Sequence, residues 1–203
     1  MLLIDNSGDR KDGTKTAHVG HQWLGRYGKT DNGVVTVTPL WADERLYYPV
    51  HAMPYTPARH FAKGKNDPAF RTKLQIGADL AAGSRVAGFV FRAVAADSAY
   101  GAQDGFRGEL AEAGLPFVMA LKPRHRTWAY GADGYTPVDA ARALAWNGPA
   151  DPGDWRPVTP AFRDGHAERW FAADATLGWW GPDGFTRLVV ATADPGTLPD
   201  KAT

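Results

Sequence analysis

Runs of apolar residues at period two, or unbroken over several positions, indicate strands along the first 123 residues. Five such segments are rich in β-branched and aromatic residues: LLID, GVVTVTPLW, RLYYPVHAMP, FVFRAVAAD and PFVMALK. The turn-forming ADE between the second and third segments predicts an antiparallel hairpin.

After the hairpin and before the fourth strand, the apolar spacing changes to that of a helix. Asp67 and Pro68 predict its N-cap and first turn, and Gly88 predicts its end. The segment QDGFRGELAEAG predicts a shorter helix ending at Gly114. Strand, helix, strand, helix, strand after a hairpin predicts an α/β fold, with a mixed sheet whose later strands run parallel and are flanked by helices.

The composition changes after Pro123. Residues 1–123 are predicted to form the sheet-and-helix core, and residues 124–203 a Gly/Pro/Trp-rich, mainly β insertion region after the fifth strand. Within this region AERWFAAD and TRLVVATAD predict strands, and TPVDAARALAW predicts a short helix. Six of the eight tryptophans follow residue 127. Packing of a small β core explains them more readily than stacking on sugars, although both explanations remain open.

Composition excludes several classes of protein. The chain has no cysteine, so it has neither disulfides nor a thiolate metal site. No apolar run approaches the roughly 18 residues of a membrane span, so we expect no membrane partner and a cytoplasmic location.

The net charge of +1 conceals an asymmetry. Residues 1–126 carry 17 Lys and Arg against 12 Asp and Glu, whereas residues 127–203 carry 6 against 10. Basic residues gather between Arg59 and Lys73 and between Lys122 and Arg126. Such clusters suit a surface that binds phosphates, and an ordinary solvated face explains them equally well.

Two predicted strands, the first and the fourth, end on a carboxylate: Asp5 and Asp97. Reactive groups of open α/β sheets collect at the carboxyl ends of strands, so the two side chains converge if these strands are neighbours. Paired carboxylates suit hard cations, above all Mg²⁺, and two-metal phosphoryl transfer uses such a pair. The alternative is that each aspartate only caps the turn that follows it.

Longer stretches of the chain resemble a known family. The motifs LLIDNSG, GKTDNG, ADSAYG and GLPFVMALKP occur in the order found in DDE-type transposases of bacterial insertion sequences, in the branch called DDE superfamily endonuclease. The resemblance implies an RNase H-like core that cleaves and transfers DNA strands with Mg²⁺, or Mn²⁺ as a substitute. It assigns Asp5 and Asp97 as the first two catalytic metal ligands.

The resemblance also implies DNA partners, namely the transposon ends and the target DNA. It is compatible with a homodimer of the full-length protein. Lys122, Arg124 and Arg126 follow the fifth strand, so we expect them near the opening that exposes Asp97, in contact with DNA. The family usually has a second acid after the first, where this chain has Asn6. Asp5 is the preferred match because Ser7 then keeps the hydroxyl position two residues on.

The third carboxylate of the family is not found. It normally lies in the pattern Y-x2-R-x3-E-x6-K, and none of the four glutamates has that setting: Glu44, Glu109, Glu112 and Glu168. We therefore expect a fragment of a catalytic domain, shortened at both ends, whose third ligand lies beyond Thr203 and which is inactive alone.

Two other functions remain open from the sequence. One is a non-catalytic DNA-binding remnant that uses the basic half of the chain. The other is a glycoside hydrolase or carbohydrate-binding module, suggested by the tryptophans and the paired acids.

Overall fold

A computed structural model describes residues 1–125, 136–162, 164–182 and 186–198. The chain divides into two compact units, Met1–Ala120 and Leu121–Thr203. The predicted boundary lay three residues later, after Pro123.

The first unit is built on one mixed sheet. Its strands are β1 (Leu2–Arg10), β2 (Gly20–Leu24), β3 (Lys29–Ala42), β4 (Tyr47–Pro49), β5 (Met53–Pro54), β6 (Val94–Ala96) and β7 (Phe117–Met119). The strand order is β2-β3-β1-β6-β7, and β4 and β5 also pair with β3. Pairing is antiparallel between β1 and β3 and parallel from β1 through β6 to β7.

Helices follow the strands as the apolar spacing predicts. They are α1 (Lys73–Val86), α2 (Ser98–Gly101) and α3 (Asp104–Glu112), with 3₁₀ turns at Gly25–Tyr27, Ala58–His60 and Gly64–Asn66. Alternate residues of β1 and β3 are buried, and they form a core with α1 and α3. The members of this core from the two strands and the first helix include Leu2, Ile4, Val37, Ile76, Leu80 and Ala81. The predicted α/β fold is confirmed, and it is consistent with an RNase H-like sheet.

The start of α1 differs from the sequence prediction. Thr72, not Asp67, is the N-cap: its hydroxyl accepts from the Gln75 backbone N–H, and the Gln75 side chain accepts from the Thr72 N–H. This reciprocal pair satisfies two backbone donors at the helix start, which an isolated Asp-Pro cannot do. Asp67 instead accepts from the Ala69 N–H in the preceding turn.

The strand count also differs. The hairpin is confirmed, but its second arm divides into β4 and β5, and β2 was not predicted. The strand that ends before Asp97 is therefore the sixth, and the strand before the second unit is the seventh. The apolar pattern does not reveal β2 because the strand has only five residues and its one aromatic residue, Trp23, is 60% exposed.

The second unit contains α4 (Pro137–Arg142) and a three-stranded antiparallel sheet of β8 (Arg156–Val158), β9 (Trp170–Ala175) and β10 (Leu188–Thr192), with a 3₁₀ turn at Pro195–Thr197. The predicted strands in AERWFAAD and TRLVVATAD and the predicted helix are confirmed. Trp155 is 2% exposed, and Trp146 packs edge-on against Phe171 at 4.8 Å between ring centroids. These two tryptophans therefore serve the core of the unit.

Two glycines of α1 predict opposite effects of the same substitution. A Cβ on Gly77 would lie 3.0 Å from Tyr100, 3.1 Å from Ile4 and 3.3 Å from Phe106, whereas a Cβ on Gly83 would meet nothing within 4 Å. We expect Gly83→Ala to stabilise the protein by about 0.5–1 kcal/mol, through the lower helix propensity of glycine. Gly77→Ala should destabilise it, because the buried side chains must shift.

Urea unfolding of both variants beside the parent chain measures the two changes. Equal stabilisation by both substitutions would show that α1 does not approach the sheet as closely as described here.

Candidate active site

The two aspartates predicted as metal ligands lie on neighbouring parallel strands. The prediction that each strand ends on its aspartate is correct for Asp97, which follows β6, and wrong for Asp5, because β1 continues to Arg10 through its pairing with β3. Ile4 of β1 is the register partner of Ala96 of β6, so Asp5 and Asp97 occupy the next position on each strand. Asp97 keeps an extended backbone, with φ −72° and ψ −178°. Side chains alternate between faces along each strand, so the register directs both carboxylates to the same side of the sheet.

Each carboxylate uses one oxygen locally. Asp5 Oδ1 accepts from the Asn6 N–H at 2.6 Å. Asp97 Oδ1 accepts from the N–H groups of Ala99 at 2.9 Å and Tyr100 at 3.4 Å, as the N-cap of α2. In the described part of the chain, no hydrogen-bond donor reaches Oδ2 of either residue. Asp97 is therefore a helix cap and still has one oxygen available for another ligand.

A buried tyrosine links β1 to the segment that follows β6. Tyr100 is 1% exposed, and its hydroxyl donates to Asn6 Oδ1 at 2.5 Å. Burial raises the pKa of the Tyr100 hydroxyl, and the negative charges of Asp5 and Asp97 raise this pKa further. Both carboxylates thus lie close enough to Tyr100 to interact electrostatically with its hydroxyl group.

Asn6 stands where the family usually has an acid. Its position in β1 alternates with that of Asp5, so Asn6 points to the same face of the sheet as buried Ile4. There its amide oxygen accepts a hydrogen bond from the Tyr100 hydroxyl, on the helix side of the sheet. The structure therefore gives Asn6 a packing partner and leaves Asp5 exposed.

The carboxylate pair has no neutralising partner within the described ranges. No Lys, Arg or His of residues 1–125, 136–162, 164–182 or 186–198 forms an ion pair with Asp5 or Asp97. The same residues contain no group of three or more His, Cys, Asp or Glu that could hold a metal ion. Burial, and then the charges of Asp79 and Glu112, raise the pKa of the Glu109 carboxyl.

The donor set fits a hard divalent cation incompletely. Two carboxylate oxygens without other partners are the chemistry that Mg²⁺ prefers, and Mg²⁺ keeps several waters when it binds only one or two carboxylates. The pair can thus contribute part of a coordination shell. The described residues supply no third carboxylate to the pair.

The predicted DNA-contacting residues lie at the start of the second unit. Lys122 and Arg124 are exposed there. Arg126 lies outside the described residues.

Sequence reasoning missed Tyr100 as part of the site. The signal was present in ADSAYG, because a residue three positions after an N-cap lies in the first helical turn. Its partner Asn6 is 94 residues away in sequence, so no local pattern pairs them.

The raised pKa of Tyr100 predicts a loss of stability in alkali. The folded state holds the phenol proton more tightly than the unfolded state, in which the tyrosine has its ordinary pKa of about 10. Stability from this group is complete below pH 10 and falls as pH rises towards the folded-state pKa, by about 1.4 kcal/mol per pH unit at most. Tyr100→Phe should lose less stability than the parent between pH 9 and 11.

Denaturant unfolding of both proteins at pH 7, 9, 10 and 11 checks this difference. Parallel stability curves across the whole range would rule out a buried, proton-retaining Tyr100.

Searches for similar proteins agree on a family. Residues 1–175 match the family described as DDE superfamily endonuclease. The whole chain aligns over 204 residues, with 30% identity, to a protein of Microchaete diplosiphon named "Probable transposase for insertion sequence element IS701". That alignment covers 100% of this chain and 48% of the relative, so the chain spans about half the length of the curated relative it matches. With two aspartates at neighbouring register positions of β1 and β6 in a mixed α/β sheet and a family match over residues 1–175, this chain belongs to the DDE superfamily endonuclease family.

Proposed function

We propose that this chain supplies two of the three metal-binding carboxylates of a transposase that cleaves and joins DNA strands, with Mg²⁺ as the cofactor and Mn²⁺ as a substitute. The observation that carries the proposal is the register of β1 and β6. Ile4 pairs with Ala96, so Asp5 and Asp97 take the next position on the two chains. The family match supports the reaction class.

The roles of the two aspartates follow from their contacts. The N–H groups of Ala99 and Tyr100 hold Asp97 Oδ1, which fixes the carboxylate plane and presents Oδ2 as a ligand. Asp5 presents its own Oδ2 in the same way beside it. A divalent cation bound to these oxygens supplies Lewis-acid stabilisation to the oxygens of a scissile phosphate. The chain's own contribution is to place two anionic oxygens on one side of the sheet.

The third carboxylate is proposed to come from sequence outside these 203 residues. None of the four glutamates matches the family pattern, and the described residues bring no third acid to Asp5 and Asp97. Since Mg²⁺ dehydrates reluctantly and needs well-placed oxygens, two aspartates hold one ion weakly and leave a second without an anchor. Binding of metal should therefore survive better than catalysis in this chain.

DNA is the proposed partner, and Lys122, Arg124 and Arg126 are proposed to contact its phosphates. The support is their exposure, for the two described residues, and the clustering of three cations within five positions. A homodimer of a longer protein and a cytoplasmic location stay predictions. No helix of the described residues is long and apolar enough to cross a membrane.

A metal titration tests the pair directly. We expect millimolar Mn²⁺ or Mg²⁺ to raise the melting temperature of the parent chain. At a metal concentration of ten times Kd, the stabilisation is about 1.4 kcal/mol. Asp5→Asn and Asp97→Asn should each abolish most of this shift. Asp9→Asn is the matched control, because Asp9 lies on the same strand, is exposed, and should leave the shift unchanged.

The choice of asparagine separates metal binding from helix capping. Asparagine caps a helix about as well as aspartate, so Asp97→Asn keeps the bonds to Ala99 and Tyr100 while removing the charge. An unchanged metal shift in Asp97→Asn would leave Asp97 as a cap only and would contradict the metal site.

A plasmid-nicking time course tests catalysis. We expect the 203-residue chain to show little or no Mg²⁺- or Mn²⁺-dependent nicking of supercoiled DNA carrying the element's ends. An extension that restores the third carboxylate should recover cleavage, and Asp97→Asn should abolish it again.

Two results would change the proposal. Robust cleavage by the unextended chain, lost in Asp97→Asn, would show that a residue of this chain already serves as the third ligand. DNA binding with no metal shift and no cleavage after extension would favour a non-catalytic DNA-binding function.

A further inference from the structure

A second charged surface of the first unit is unrelated to the carboxylate pair. Four exposed cations lie within thirteen positions and are called here the basic strip: Arg59, Lys63, Lys65 and Arg71. The single acid among them, Asp67, accepts from the backbone N–H groups of Lys63 and Ala69. In the described ranges, no carboxylate forms an ion pair with any of the four side chains.

The basic strip is held on a small aromatic cluster. Phe70 packs edge-on against Tyr55 at 6.4 Å and against Phe61 at 5.8 Å, between ring centroids. The two 3₁₀ turns at Ala58–His60 and Gly64–Asn66 shape the backbone between these rings. The cations are therefore presented by a folded segment with fixed spacing.

The four cations differ in how much of their hydrogen-bonding capacity is used. Arg59 donates to the Val19 carbonyl at 2.8 Å, and Arg71 donates to the carbonyls of Pro68 and Phe70. A guanidinium has five N–H donors, so both keep donors for a further partner. The ammonium groups of Lys63 and Lys65 have no partner within the described part of the chain.

The basic strip lies at the same end of the sheet as the carboxylates. Arg59 contacts Val19, the residue before β2, and Gly20 pairs with Gly33, which pairs with Arg10 at the end of β1. Arg10 lies five residues beyond Asp5, which is about 17 Å of strand. Combined at right angles with the two strand spacings of about 4.8 Å each, this gives roughly 20 Å between the backbone of Asp5 and the anchored end of the strip.

The connection through α1 agrees with this placement. α1 leads from the basic strip to β6, which is parallel to β1, so its first turn lies at the carboxyl ends of these strands. Gly77, in the second turn, lies against Tyr100 and Ile4. Trp41, paired with the first residue of β1, donates to Val90 beyond the other end of the helix.

We propose that the basic strip binds the phosphodiester backbone of duplex DNA, beyond the phosphate that the proposed function places at Asp5 and Asp97. DNA as the occupant rests on the proposed function, and the charge complementarity rests on the four cations. The contacts are with phosphates, so they carry no base specificity.

Fluorescence anisotropy with a labelled 30-base-pair duplex of arbitrary sequence, in EDTA, tests the basic strip. The test variant is Lys63→Gln/Lys65→Gln, since neither ammonium supports the fold through a side-chain contact. The control is Arg45→Gln/Arg92→Gln, which removes the same charge from exposed positions at the opposite end of the sheet.

We expect the lysine variant to bind about tenfold more weakly or worse at 100 mM NaCl. The slope of log K against log salt should fall by about one to two, since each phosphate contact contributes about 0.9. The arginine control should change affinity less than about twofold. Equal weakening by both variants, an unchanged lysine variant, or no DNA binding by the parent chain would each overturn the proposal.

The experiment separates this surface from the metal site. Asp5→Asn/Asp97→Asn should bind the duplex in EDTA at least as tightly as the parent, because it removes negative charge. Failure of the lysine result therefore leaves the metal titration intact, and failure of the metal titration leaves the salt dependence intact. Circular dichroism melting of all variants confirms that each is folded.

Discussion

The pairing of β1 on both of its edges is the constraint on which the rest of the first unit depends. β1 runs antiparallel to β3 over nine residue pairs and parallel to β6 over three. The long antiparallel ladder fixes the register of β1, and the short parallel one aligns Ile4 with Ala96. A slip of one residue would exchange the faces of every side chain on β1, which would bury Asp5 and expose Ile4.

The crossover through α1 makes that register costly to change. Gly77 lets α1 approach the side chains of Ile4, Tyr100 and Phe106 within the distance of one methyl group. Tyr100 is then fixed between the core and Asn6. The packing that closes the core therefore also holds β1 and the residues after β6, which carry the two aspartates.

The charges of this unit are arranged in two separate places. One carboxylate stands within β1 and the other directly after β6, with no ion-pairing cation in the described part of the chain, and the basic strip is anchored near the carboxyl end of β1. Under the two proposals, a divalent cation would bind the carboxylates and phosphates of the same DNA would contact the strip. A single small ligand could not span the roughly 20 Å between them.

What the sequence determined by itself is local. Apolar runs predicted the hairpin, β7, β9 and β10, and glycine with helical spacing predicted the end of α3. The two aspartates directly after apolar runs indicated the candidate ligands. The tertiary structure alone decided that β6 lies beside β1 and that Tyr100 reaches Asn6 across 94 residues. The reason is physical: strand formation and capping depend on neighbours in sequence, whereas register, facing and close approach depend on which distant side chains pack together.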